Sequence, residues 1–225
     1  MQKINPHTSK QKPSSKEIKP PKKISERYLR NSGLYYLQRF VTSSGHFRVV
    51  MTRKIDKSCR HHKDQSRDEC LQMLEIVVQE FLDQGMIDDK GYTLGMVRSL
   101  RRRGISARGI QAKLRQKRIG GDMIKSAIDE VNRDNENSVP SFEETGEDVN
   151  HDFNAALILA RRKKIGIFSK YRHELAAMAH EDKQPLERKW IGAMARAGFS
   201  YDVCRRILDI SEDELNDHGI FLPSL

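Results

Sequence analysis

Three stretches of the sequence hold side chains whose types suit chemistry. The first, "CRHHKDQSRDEC", carries Cys59, His61, His62 and Cys70, all residue types that ligate zinc. Zinc sites separate paired ligands by two to four residues on each side, and this cluster does not. Neighbouring histidines in a polar insertion read more simply as surface residues. The second, Asp88–Asp89 in "MIDDKGY", offers paired carboxylates for acid–base work. It stands between two helical segments, where an aspartate instead accepts the free N–H groups of the next helix. The third, "RSLRRRGISARGIQAKLRQKRI" from Arg98 to Ile119, has nine basic side chains and no acid. Its chemistry is electrostatic: guanidinium and ammonium groups for phosphates or carboxylates. No P-loop, dinucleotide fingerprint or nucleophile elbow occurs. The sequence therefore predicts no enzyme, no cofactor and no metal.

What the arginines do depends on the helices that carry them. Apolar residues recur at helical spacing in segments near 24–41, 44–55, 67–84, 91–103, 106–117, 121–132, 153–164, 186–197 and 200–208, with a further turn at 211–216. No segment alternates with period two, so the predicted class is all-α. Gly85 ends the third helix, a residue suited to a left-handed cap. At about 100° per residue, Ile110 and Leu114 share one face of their helix, and Arg108 and Arg115 lie about 140–160° from Ile110. In the preceding helix Tyr92, Met96 and Leu100 make the expected buried stripe. Arg98, Arg101 and Arg102 then point to solvent, and Arg103 sits at the helix end. Lys117 and Arg118 close the run, and Arg161, Arg162 and Lys163 form a second one. These eleven residues are the candidate basic face. Trp190 and the Tyr35–Tyr36 pair read as packing residues, since Trp190 and Tyr35 fall on apolar stripes.

Three readings of that face stay open on charge alone: a solvated surface, a phosphate contact, or a contact for an acidic protein. "SARGIQAKLRQKRIGGDMIKSAI" also looks like a helix-turn-helix, a weak signal because short helices joined by glycine occur in many helical folds. The exposed residues are nearly all Arg and Lys, not the mixed set that reads base edges.

The chain has 225 residues and a formal charge of +10, with 32% charged and 37% hydrophobic residues. Residues 1–23 carry net +6, 24–134 net +8, 135–152 net −6 and 153–225 net +2. Charge of this size favours nucleic acid or acidic surfaces as partners and says nothing of fold. Three scattered cysteines do not make a disulfide framework and point to a reducing compartment. No apolar run approaches the ~18 residues of a membrane span. The first residues lack the apolar core of a secretory signal, and prolines interrupt any transit helix. A cytoplasmic protein is expected.

Sliding the chain by 80 positions pairs Ile110 with Trp190, Leu114 with Met194, Ile119 with Phe199 and Ile128 with Leu208. Sliding by 61 pairs Tyr92 with Phe153, Met96 with Leu157 and "RRR" at 101–103 with "RKK" at 162–164. A three-helix unit used three times accounts for this. The expected organisation is a disordered basic tail (1–23), unit 1 (24–89), unit 2 (90–133), an acidic linker (134–152), unit 3 (153–210) and a C-terminal segment (211–225).

The order of motifs also resembles a known family. "LDQGMIDDKGYTLGMVRSLRRRGISARGIQAKLRQKRI" is similar to the second unit of the RecX family of recombinase regulators, "YLQRFVTSSGHFRVVMTRKI" to its first, and "RAGFSYDVCRRIL" to its closing segment. The likeness spans about residues 24–210. It implies three tandem three-helix repeats in a curved, elongated body. It implies binding to the RecA recombinase, chiefly in the groove of its filament on DNA, with modulation, usually inhibition, of ATP hydrolysis, strand exchange and coprotease activity. Direct, sequence-independent DNA contact is also implied. The family has no catalytic residues to carry over. The chain departs from the family pattern in its basic tail, its acidic linker and a long loop at 165–184 that opens the third unit.

Overall fold

The computed structural model describes residues 20–135, 147–175 and 177–217, and every regular element among them is helical. Helices α1 (Glu26–Leu37), α2 (Ser44–His61) and α3 (Arg67–Asp83) come first, followed by α4 (Asp89–Arg102), α5 (Ala107–Gln116) and α6 (Gly121–Asn135). Then come α7 (Glu147–Lys163), a 3₁₀ turn (Gly166–Phe168), α8 (His180–Ala195), α9 (Tyr201–Asp209) and α10 (Glu212–Asp217).

Local chemistry explains most boundaries. Ser25, Ser43, Ser66, Asp88, Ser106 and Ser200 each cap a helix by accepting a backbone N–H with the side chain. Four helices stop in one way, with a left-handed residue followed by an apolar one. Gly104 (φ 67°), Arg118 (φ 60°), Lys164 (φ 55°) and Gly198 (φ 96°) hold the left-handed position. The next residues, Ile105, Ile119, Ile165 and Phe199, donate their N–H to the carbonyl five residues back.

Several boundaries differ from the expected ones. α1 stops at Leu37, which leaves Phe40 and Val41 exposed rather than on a buried stripe. α2 runs on to His61 through most of the expected polar connection, because Ile55 and Ser58 still face the core. α7 begins at Glu147, inside the expected acidic linker. α8 begins at His180, ahead of Pro185, so the expected loop 165–184 holds a 3₁₀ turn and the first turn of a helix. The basic tail through residue 19, linker residues 136–146 and residues 218–225 lie outside the described residues.

The described residues form two cores. The first comes from α1–α3: Leu29, Phe47, Met51, Ile55, Leu74, Val77, Val78 and Phe81 are buried. Phe47 and Phe81 meet edge to face at 5.7 Å. Gly33 lets α1 approach them, since a Cβ there would stand 2.7 Å from Phe81. The second core runs continuously from α4 to α10, with Val97, Leu100, Ile110, Leu114, Ile124, Phe153, Leu159, Trp190, Met194 and Ile207 sealed together. At roughly 25 cal/mol per Å² of apolar surface removed from water, each such side chain contributes about 1.5–3 kcal/mol before entropy.

Two junctions tie these helices end to end with matching parts. At one, the Ser43 hydroxyl donates to the Lys117 carbonyl (2.6 Å), and Asp89 accepts the N–H of Ser44 (2.7 Å). At the other, the Ser106 hydroxyl donates to the Ala197 carbonyl (3.0 Å), and Asp152 accepts the N–H of Ala107 (2.9 Å). Each junction also has a glycine with no room for a side chain. A Cβ on Gly45 would lie 2.5 Å from Arg118 Cβ, and one on Gly109 would lie 2.2 Å from the Ala197 carbonyl.

Candidate functional site

In α4 the buried residues are Thr93, Val97, Leu100 and Arg101, while Tyr92 and Met96 are only half-buried. The inward face is therefore rotated by about one residue from the expected stripe. This corrects the placement of Arg101. It lies four residues after Val97, on the same face, and is 8% exposed rather than solvated. Its guanidinium meets Asp152 (Nη1 to Oδ1 2.6 Å) and reaches the Ile105 carbonyl at 3.4 Å, while Nε has no partner among the described residues. A buried arginine needs this kind of pairing, because an isolated charge out of water is very unfavourable. Asp152 also accepts the Ala107 N–H, so one carboxylate joins the end of α4, the start of α5 and α7.

Arg98 does reach solvent, but it pairs with Asp134 at the end of α6 (3.0 Å), both side chains being half exposed. Such a pair is worth about 0–1 kcal/mol and leaves the cation open to exchange with another anion. Arg102, Arg103, Arg108, Arg115 and Arg118 are exposed, as are Arg161, Arg162 and Lys163 at the end of α7. None of these eight forms an ion pair among the described residues. Lys117 is half-buried, with its carbonyl engaged by Ser43. Beside it, burial and then the charges of Lys117 and Arg53 hold the His46 imidazole below its ordinary pKa.

Two clefts gather parts of this surface. One, of about 260 Å³, lies between α4, α6 and α7 and is lined by Arg98, Arg101, Arg102, Asn132, Asp134 and Asn154 among others. The other, of about 650 Å³, lies beside the end of α7 and α8. Its rim carries Lys163, Lys164, Lys170, Lys189 and Arg196, its floor includes Trp190, and no carboxylate among the described residues lines it. Neither cleft includes Arg103, Arg108, Arg115, Lys117, Arg118, Arg161 or Arg162. The clefts thus take in Arg98, Arg101, Arg102 and Lys163 of the eleven predicted residues. Lys164, Lys170, Lys189 and Arg196 are not among the residues that the sequence singles out. Lys164 simply extends the "RRK" run, and Lys189 and Arg196 stand one heptad apart on α8, so a signal existed for three of the four.

The aromatic expectations divide. Trp190 is buried in the second core, but Tyr35 is 56% exposed and carries Arg39 over its ring at 4.6 Å. Asp88 caps α4 by accepting the Gly91 N–H (2.9 Å), whereas Asp89 reaches back to α2. Among the described residues no three His, Cys, Asp or Glu side chains converge as metal ligands would. His62 instead donates through Nε2 to the Pro21 carbonyl (2.7 Å). No helix among the described residues is long and apolar enough to cross a membrane.

No family profile matches the chain. It is 30% identical over 191 residues to the regulatory protein RecX of Myxococcus xanthus, covering 85% of this chain and 89% of that protein. It is 25% identical over 190 residues to the regulatory protein RecX of Agrobacterium fabrum, covering 84% and 86%. Among solved structures, a regulatory protein RecX crystal structure superposes with a TM-score of 0.48 at 18% identity, covering 82% of this chain and 72% of that one. RecX from Lactobacillus salivarius gives 0.46 at 18% identity, covering 82% and 96%.

Proposed function

The chain belongs to the RecX family of regulatory proteins, and from that premise we propose that it binds the RecA recombinase on its DNA filament and inhibits ATP hydrolysis, strand exchange and coprotease activity. It acts as a regulator of recombination, DNA repair and the SOS response in the cytoplasm, without catalysis of its own. The body comprises three three-helix units in tandem, residues 24–89, 90–133 and 153–210. The two matching junctions support this division, since each joins the second helix of one unit to the first and second helices of the next.

The observation that carries the reading is the set of exposed cations without carboxylate partners among the described residues: Arg102, Arg103, Arg108, Arg115 and Arg118 on unit 2, and Arg161, Arg162 and Lys163 on unit 3. Such guanidiniums on successive units suit a partner that repeats acidic groups or phosphates along its length. A rigid stack bridging neighbouring filament subunits resists the rearrangements that ATP turnover requires. Arg101 leaves the partner-binding set, because its charge is already used inside the protein.

A second reading, nucleic-acid binding without a recombinase partner, is favoured by the cleft beside α8, where five cations meet no carboxylate among the described residues. RecA ATPase on single-stranded DNA separates the two. Inhibition well below one regulator per recombinase, reduced by R102A/R103A/R108A, supports filament binding. No effect until the protein saturates the DNA refutes it and supports plain DNA competition. In that case affinity falls with salt, and on single strands the slope shrinks by about 0.7 for each phosphate that a substitution leaves unneutralised.

A further inference from the structure

Two of the three cysteines meet in the first core. Cys59, near the end of α2, and Cys70, in the first turn of α3, are eleven residues apart in sequence, and their sulfurs are 4.0 Å apart. Neither is in a disulfide. Cys59 is partly exposed and Cys70 is buried. A disulfide needs its sulfurs about 2.05 Å apart, so closure takes roughly 2 Å of motion, within reach of side-chain rotation at the ends of two helices joined by a short turn. The third cysteine, Cys204, is buried in the other core and serves as an internal control.

We propose that Cys59 and Cys70 are a modification site at which a hydroperoxide converts two thiols into a reversible disulfide that staples α2 to α3. The Cys59 thiolate attacks the peroxide: an S–O bond forms, the O–O bond breaks and hydroxide, or an alkoxide from an organic peroxide, leaves. Cys59 is then a sulfenic acid. The Cys70 sulfur attacks the Cys59 sulfur, the S–S bond forms, the S–O bond breaks, and the departing hydroxide takes the Cys70 proton as water. Two thiols have been oxidised and one peroxide reduced. The division of roles follows from access, because the oxidant reaches Cys59 and the resolving thiol waits behind it. Burial first, and then contact with Cys59, pushes the Cys70 thiol up to about 11. Near neutral pH it is therefore a thiol that meets the sulfenic acid, and its proton leaves with the departing hydroxide.

The staple sits in a turn that also fastens the start of the described chain. Ser58 donates to the Lys22 carbonyl (2.8 Å), His62 to the Pro21 carbonyl (2.7 Å), and Gln65 exchanges two hydrogen bonds with Ile24. Lys23 pairs with Asp64 in the same turn. Oxidation thus stiffens the turn that holds residues 21–24 in place.

The test treats the full chain with stoichiometric hydrogen peroxide, unfolds it, labels the remaining thiols and maps peptides by mass. The expected result is joint loss of two thiols, a Cys59–Cys70 linked peptide within one chain, retention of Cys204, and full reversal by dithiothreitol. The oxidised protein also melts at a higher temperature than the reduced one. C59S, a change at the less buried position, abolishes the link and leaves Cys70 unmodified. Survival of both thiols in peroxide, over-oxidation of Cys59 with Cys70 still titratable, or links only between two chains each overturns the proposal. None of these outcomes depends on RecA.

Discussion

Removing the Asp152 carboxylate is the sharpest test of how the second junction is held. In D152A the Arg101 guanidinium, 9% exposed at its side chain, loses its 2.6 Å partner and retains, among the described residues, the Ile105 carbonyl at 3.4 Å. Breaking a buried pair from one side is worth about 3–5 kcal/mol. The low end applies, because Asp152 is 23% exposed and the adjoining cleft admits water to the guanidinium. The Ala107 N–H at the start of α5 loses its acceptor as well, worth about 1 kcal/mol. The expected loss is therefore about 3–4 kcal/mol. D89A, at the matching junction, removes hydrogen bonds to the Ser44 N–H and hydroxyl but orphans no buried cation, so about 1–2 kcal/mol is expected. Urea unfolding of the wild type, D152A, R101M and D152A/R101M measures both the loss and the coupling. R101M removes the charge that D152A strands, so the double variant should recover at least ~2 kcal/mol relative to the sum of the singles. Additive singles, or a D152A loss below about 1 kcal/mol, would refute the claim that this pair locks α4, α5 and α7 together.

The remaining predictions concern packing, backbone and pH. G109A places a methyl group 2.2 Å from the Ala197 carbonyl and should destabilise by about 2–3 kcal/mol, whereas G95A, with nothing within 4 Å, should be neutral or stabilising; thermal melting compares them. R118G removes a non-glycine residue from φ 60° and should raise stability by roughly 0.5 kcal/mol while deleting one cation, so weaker partner binding by this variant cannot be ascribed to unfolding. Hydrogen bonds from Arg30, then its charge, hold the Glu80 carboxyl below its ordinary range. The pair's contribution is present above the unfolded carboxylate pKa and is lost as pH falls through the lower folded value. E80Q should therefore flatten the acid limb of Tm against pH, and parallel curves for the two proteins would contradict this.

What the sequence determined by itself is local. Helix spacing, serine and aspartate caps such as Ser106 and Asp88, and the left-handed glycine stop at Gly85 depend on neighbours a few residues away, and they place most helices within a few residues. The self-similarity that pairs Ile110 with Trp190 is also visible in one dimension, because buried positions demand the same residue types. The inward face of α4 was decided by tertiary contact. Tyr92–Met96–Leu100 and Thr93–Val97–Leu100 are nearly equivalent stripes on a wheel, and only packing against α6 and α7 selects the second. That rotation of one residue carries Arg101 from solvent to the interior, where Asp152, 51 positions further along, makes its burial tolerable. The same holds for the Arg98–Asp134 pair, the cluster of cations in the cleft beside α8 and the Cys59–Cys70 contact. Charge and thiol chemistry act across a few ångströms of space, and the residues that meet there are separated by stretches of chain over which no periodicity carries information.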